Sequence, residues 1–265
     1  MHGERWWAQE SFGVRLEWGP TGAERLAGDH SGWLVVVDVL SFTTAVTVAT
    51  ERGIQVLPYP WRDGTAAAFA GRRQAALAVG RRQVTASTPW SLSPAALRGA
   101  PFVPRLVLPS PNGSTIAAAA AGRGTRVVAA CLRNAGAVAR WLTERGAGTP
   151  GRPVMLAPAG ERWPDTSLRP ALEDLLGAGA VAAALADLGT GPLSPEANAA
   201  RAAYLAGDPM AALTDCSSGR ELRAGGFAGD IAVAAEVDAS ASVPLLAEGA
   251  FTNAAVDPDG WNPSR

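Results

Sequence analysis

The most constraining stretch of the chain is Leu34-Val35-Val36-Val37-Asp38, an aliphatic run that ends in one carboxylate and passes at once into Ser41-Phe42-Thr43-Thr44-Ala45-Val46-Thr47. An aliphatic and β-branched run without polar alternation predicts a strand buried on both faces, as in a parallel sheet covered by helices. The hydroxyl-rich segment predicts a helix start, which puts Asp38 at the strand's C-terminal edge. Ligands bind at that edge in open α/β sheets, because helix N-termini and loop amides converge there. An Asp in this place has a plainer use too, as a helix cap or the partner of a buried Arg.

The rest of the chain supplies a βαβ rhythm. Residues 13–18 read as an early strand, Gly19-Pro20-Thr21-Gly22 as a turn and 23–27 as a short helix. A helix from Thr43 to Gly53, a strand at 54–58 and a helix at 66–71 follow. Residues 75–79 are a further strand candidate, and 87–94 form an extended loop in which Trp90 reads as an anchor. Two strand, turn, helix units come next: 105–108 with Pro109-Ser110-Pro111-Asn112-Gly113-Ser114 and a helix to Ala121, then 125–130 with Asn134 capping a helix to Glu144. The Gly/Pro-rich stretch 146–151 is the best internal boundary. Beyond it lie a strand at 153–157, a long helix over 170–188, a helix opened by Ser194-Pro195-Glu196 and a final strand at 231–234, with the last dozen residues loosely ordered. The expected architecture is a single α/β unit over 1–265, layered α/β/α with a mixed, largely parallel sheet. Residues 13–145 and 152–250 are its two candidate halves.

Composition narrows the chemistry. All 23 basic residues are Arg, so neither a Schiff-base lysine nor a P-loop lysine is available, and anions fall to Arg, amides or a metal. Only His2 and His30 could serve as imidazole bases, and no G-x-S-x-G elbow is present, which argues against Ser-His-Asp hydrolysis. Cys131 and Cys216 lack CxxC spacing, which argues against a zinc site or disulfide framework. A net charge of −1 gives no footprint for nucleic acid. No run reaches the roughly 18 to 20 apolar residues of a membrane span, and the N-terminus lacks a signal-peptide core, so the expected location is cytoplasmic. Oxygen donors with few His suit a hard cation such as Mg²⁺.

Polar turns at strand ends mark the candidate site: Asp38 to Thr44, Ser110 to Ser114, Arg133-Asn134, and Gly160 onward. Asn112-Gly113-Ser114 opening a helix offers amides and a hydroxyl to an anion. Glu173 and Asp174 are adjacent carboxylates in an apolar helix that also carries Gly177 and Gly179. Close packing would compensate the roughly 1 kcal/mol that a helical Gly costs.

Asp38-Val39-Leu40 with Thr43-Thr44, Asn112-Gly113-Ser114, Leu132-Arg133-Asn134-Ala135, Ala159-Gly160, Leu172-Glu173-Asp174 with Gly177-Ala178-Gly179, and Ser218-Gly219-Arg220 with Asp230 occur in an order that resembles the 2-phosphosulfolactate phosphatase family. The resemblance covers about residues 30–246. It implies a Mg²⁺-dependent phosphatase of 2-phospho-3-sulfolactate with an α/β fold. Asp38 with Glu173 or Asp174 would be metal ligands and catalytic groups. Ser41, Thr43, Thr44, Asn112, Gly113, Ser114, Asn134 and Gly160 would line the substrate site, and Arg220 would clamp phosphate or sulfonate. Either a metal-positioned water or Asp38 itself could be the nucleophile. Four segments depart from the family pattern: Ser41-Phe42 stands where an Arg-Ala pair is usual, Gly80-Arg81-Arg82-Gln83 lacks the Glu of G-E-R-G-G, Pro158-Ala159-Gly160 stands for C-A-G, and G-N-S-P appears only as Ser87-Thr88-Pro89. The expected partner is a small anionic phospho-acid, not nucleic acid or membrane, and a homodimer is compatible with this reading. A small-anion binder that has lost turnover is the alternative function.

Overall fold

The aliphatic run is buried on both faces because helices cover both sides of the sheet it enters. In the computed structural model, which describes residues 6–28, 32–60 and 63–256, the strands are β1 (Val14–Leu16), β2 (Trp33–Val37), β3 (Gln55–Tyr59), β4 (Ala76–Leu77), β5 (Arg105–Pro109), β6 (Arg126–Ala130), β7 (Val154–Pro158), β8 (Glu161–Arg162), β9 (Leu168–Arg169), β10 (Pro244–Ala247) and β11 (Ala250–Asn253). Nine of them form one sheet in the order β1-β7-β2-β6-β10-β11-β3-β5-β4, while β8 and β9 make a separate hairpin. Strands from both sides of the 146–151 connector share this sheet, since β7 lies between β1 and β2.

Pairing is parallel within β1-β7-β2-β6 and within β3-β5-β4. Three antiparallel pairings, β6 with β10, β10 with β11 and β11 with β3, join the two blocks. An odd number of reversals means that the blocks run in opposite senses, so the sheet is mixed but mostly parallel.

The helices are α1 (Gly19–Ala27), α2 (Phe42–Glu51), α3 (Gly64–Arg73), α4 (Pro94–Gly99), α5 (Gly113–Ala121), α6 (Ala135–Glu144), α7 (Leu172–Asp187), α8 (Pro195–Leu205), α9 (Pro209–Asp215), α10 (Ser217–Ala224) and α11 (Ala228–Ala234). Alternate residues of β2 feed two cores, as the two-residue side-chain period of a strand demands. Trp33, Val35 and Val37 pack with residues of α6, α7 and α8. Leu34 and Val36 pack with Leu26 of α1, Phe42 and Val46 of α2 and Ile116 of α5. Among the described residues, no helix is long and apolar enough to cross a membrane.

Two readings of the sequence are corrected. Residues 231–234 are not a strand but the end of α11, and Gly19-Pro20-Thr21-Gly22 is not a turn but the start of α1, with Pro at its first turn. The central hairpin β10–β11 has no counterpart in the sequence reading. The loop anchor is present, with the Trp90 indole N–H donating to the Pro101 carbonyl at 3.0 Å. His2, His30 and residues 257–265 lie outside the described residues.

The interior glycines of α7 mark close approaches. A Cβ on Gly177 would stand 2.6 Å from Val39 Cγ2 and 2.8 Å from Val37 Cγ1, and one on Gly179 only 2.1 Å from the Ala200 carbonyl oxygen in α8. Backbone cannot yield as a flexible side-chain tip can. Gly179→Ala is therefore expected to lower stability by about 1–3 kcal/mol, the usual range for overpacking, despite Ala's better helix propensity. A lower denaturation midpoint at unchanged m-value checks this.

Candidate active site

The end of β2 is built from carboxylates that accept backbone amides. Asp38 Oδ1 accepts the Phe42 N–H at 3.1 Å, which closes the turn into α2, and Oδ2 accepts the Gly113 N–H at 2.8 Å, which brings in the start of α5. Gly113 is required there, because a Cβ would lie 2.4 Å from Phe42 Cδ1 and 2.8 Å from Asp38 Oδ2. Asp174, in the first turn of α7, accepts the Val39 N–H on Oδ1 at 2.7 Å and the Gly160 N–H on Oδ2 at 2.8 Å. It thus ties together the loops that follow β2 and β7. Gly160 has φ of +66°, in the left-handed region open to glycine.

Two more carboxylates complete the cluster. Glu173, 2% exposed, faces the Cys216 thiol at the cap of α10; burial and then this carboxylate push the thiol up to about 11. Glu161 on β8 is partly buried, and its Oε2 accepts from Asn112 Nδ2 at 2.9 Å. Three of the four are raised, and the others in the cluster contribute to it. Burial raises Asp38, the Gly113 and Phe42 amides oppose that rise, Glu173 adds to it and Arg81 works against it. Asp174 is raised well above the usual carboxylate range by burial, then by Asp38, Glu173 and Glu161. Glu161 is raised to about 7 by burial and Asp38, with the Asn112 bond and Arg169 in opposition. Among the described residues, no three His, Cys, Asp or Glu side chains are gathered into a ready-made metal cage.

The remaining sequence-predicted residues divide. Asn112, Gly113 and Gly160 each bond a carboxylate of the cluster, and the Ser41 hydroxyl instead accepts from Arg81 Nη2. The Thr43 hydroxyl donates to the Asp38 carbonyl at 2.8 Å and that of Thr44 to the Val39 carbonyl at 2.8 Å, so both secure the turn. Ser114 Oγ donates to the Leu108 carbonyl at 2.9 Å. The Asn134 amide is engaged by backbone on both sides, accepting from Cys131 N–H at 2.8 Å and donating to the carbonyls of Ala129 at 3.2 Å and Ser242 at 3.1 Å. Arg220 is exposed on α10 and forms no ion pair among the described residues.

Sequence reasoning assigned no role to Glu161, Arg81 or Asp230. Glu161 had a signal, since it directly follows the Pro158-Ala159-Gly160 strand end. Arg81 stood out only as part of a segment departing from the family pattern, and its partner Asp230 lies 149 residues away, beyond any local signal.

The cluster should make stability depend on pH. A carboxyl raised from 4.5 to about 7 keeps a proton in the folded state that the unfolded chain has released. The folded state is then favoured at the acid end of that interval and loses this advantage as pH rises through it. Without divalent cations, the melting temperature is expected to fall from pH 4.5 to about 7, and Glu161→Gln to flatten that fall. Thermal melts across this range by circular dichroism check it.

The family model described as 2-phosphosulpholactate phosphatase matches residues 23–249, from within α1 to the turn between β10 and β11. A probable 2-phosphosulfolactate phosphatase of Thermus thermophilus is 30% identical over 232 residues, covering 83% of this chain and 92% of that protein. All four carboxylates of the cluster, Arg81 and Asp230 lie inside the matched residues. The chain belongs to the 2-phosphosulpholactate phosphatase family.

Proposed function

We propose that this chain is a Mg²⁺-dependent phosphatase of a small 2-phospho acid, with 2-phospho-3-sulfolactate as the nominal substrate and 3-sulfolactate and phosphate as products. One observation carries the reading within a phosphatase family: Asp38, Glu161 and Asp174 meet Glu173 at one strand end, and burial together with the neighbouring carboxylates raises the proton affinity of those three. Such a concentration of acid is unfavourable in its charged form, and protons or a cation relieve it. The donors are oxygens, which fits a hard divalent cation, and Mg²⁺ needs only one or two protein carboxylates beside waters and substrate phosphate. Asp38 and Glu173 would hold it. When bound, Mg²⁺ would neutralise phosphate charge.

The chain's own residues supply the rest. The two amide bonds to Asp38 fix its carboxylate at the strand end, and Asp174 holds the loops after β2 and β7 in place. Glu161 keeps its proton near neutrality, and Asn112 orients it. That is the state of a general acid, which would give its proton to the leaving alcohol oxygen and recover it from water.

Phosphate release from a panel of 2-phospho acids, with Mg²⁺ and with chelator, tests the proposal. Metal-dependent turnover is expected, and Asp38→Asn should remove it by about 100- to 1,000-fold, since several kcal/mol of barrier are at stake. Turnover that persists in chelator, or in Asp38→Asn, would overturn this assignment. Stabilisation of the protein by the panel acids without phosphate release would instead favour the non-catalytic anion binder.

A further inference from the structure

The fold brings one guanidinium to the carboxylate cluster without pairing it to any member. Arg81 lies on the 3₁₀ turn Arg81–Gln83, just before the extended loop that precedes α4. Its Nε donates to Asp230 Oδ2 at 2.8 Å, its Nη2 donates to Ser41 Oγ, and its Cζ lies 5.7 Å from the Phe227 ring centroid. Ser41 caps α2, three residues after Asp38, and Arg81 acts on the Asp38 carboxylate through space. No ion pair joins Arg81 to Asp38, Glu161, Glu173 or Asp174 among the described residues. An arginine present only to neutralise the cluster would make one. Arg169 also bears on Glu161, but it lies over Trp163 on the β8–β9 hairpin and has no such anchor.

The manner of holding is informative. Asp230 is 1% exposed, and its other oxygen, Oδ1, accepts from the Ser93 hydroxyl at 2.5 Å and the Ala95 N–H at 3.3 Å. This buried, saturated carboxylate grips the guanidinium by Nε alone. Among the described residues the bonds of this guanidinium run through Nε and Nη2, with none from Nη1, and the side chain keeps 18% exposure. A guanidinium held from one side presents its remaining N–H groups as a preoriented fork for a planar or tetrahedral anion.

We propose that Arg81, positioned by Asp230 and Ser41, recognises the second acidic group of the substrate, the carboxylate or sulfonate that accompanies the phosphate. This rests on the phosphatase reading for its substrate class. The chain has no lysine, and Ser41 itself carries no charge, so an arginine from a distant turn supplies the cation at the start of α2. Arg81 is thereby a specificity-determining residue, and Asp230 a positioning residue that acts through it.

The test compares wild type, Arg81→Gln and Arg81→Lys on 2-phospho-3-sulfolactate and on glycerol 2-phosphate, an ester without a second acid. The ratio of kcat/KM for the first over the second is expected to drop about 10- to 100-fold in Arg81→Gln, the loss typical of a hydrogen bond to a charged group, and mainly through KM. Arg81→Lys keeps the charge without the fork and should fall between the two. A ratio within about twofold of wild type in Arg81→Gln would overturn the proposal. Calorimetric titration with 3-sulfolactate, which has no phosphate to release, keeps the question separate from turnover. Binding weakened by Arg81→Gln supports the assignment even if wild type hydrolyses no ester, and equal binding by both proteins, or none by wild type, refutes it.

Discussion

The structure depends on the burial of carboxylates whose oxygens are committed to backbone amides. Asp38 and Asp174 each accept two N–H groups, and between them they join the ends of β2 and β7 to the starts of α2, α5 and α7. A buried ionised carboxylate is costly, and these amide bonds partly offset the cost. They also set the conformations of the loops that follow β2 and β7. Architecture and chemistry are therefore not separable at this strand end. The residues that stabilise the loops are also members of the carboxylate cluster.

Glycine makes that arrangement sterically possible. At Gly113 the backbone approaches Asp38 where a methyl group would collide, and at Gly177 the long helix lies directly on Val37 and Val39. The buried threonines of α2 act in the same direction. Their hydroxyls return to carbonyls within the helix or its preceding turn, as Thr47 does to Thr43 and Thr50 to Val46, and Thr50 also meets the Ser242 hydroxyl at 2.9 Å.

Much of the sheet was legible because its signals are local. The runs that become β2, β5, β6 and β7 are dense in apolar residues and end in turn residues, and α7 is long enough to settle its own period. The misreadings have equally local causes. Ile231-Ala232-Val233-Ala234 is a short apolar run, which periodicity cannot assign, and packing against α4, α9 and α10 makes it helical. Gly19-Pro20 has turn composition, yet Pro suits the first turn of a helix. At the site, Asp38, Glu173 and Asp174 announce themselves by carboxylates set in apolar surroundings. Arg81 and Asp230 each fall in a segment compared with the family pattern, but their pairing across 149 residues is made only by the tertiary fold, and no local pattern announces it.

The β10–β11 hairpin has a consequence for how this protein is made. It lies near the middle of the sheet but comes from residues 244–253, so during synthesis both parallel blocks must wait for it. Until it emerges from the ribosome, β6 and β3 each present an open edge, the kind of surface that pairs with neighbouring chains. The Asp38–Gly113 bond spans those same two blocks, since it joins the end of β2 to the helix that follows β5. The last-made piece of the sheet thus acts as a keystone, and a nascent chain lacking it would have its two halves joined only from the side, through helices and loops.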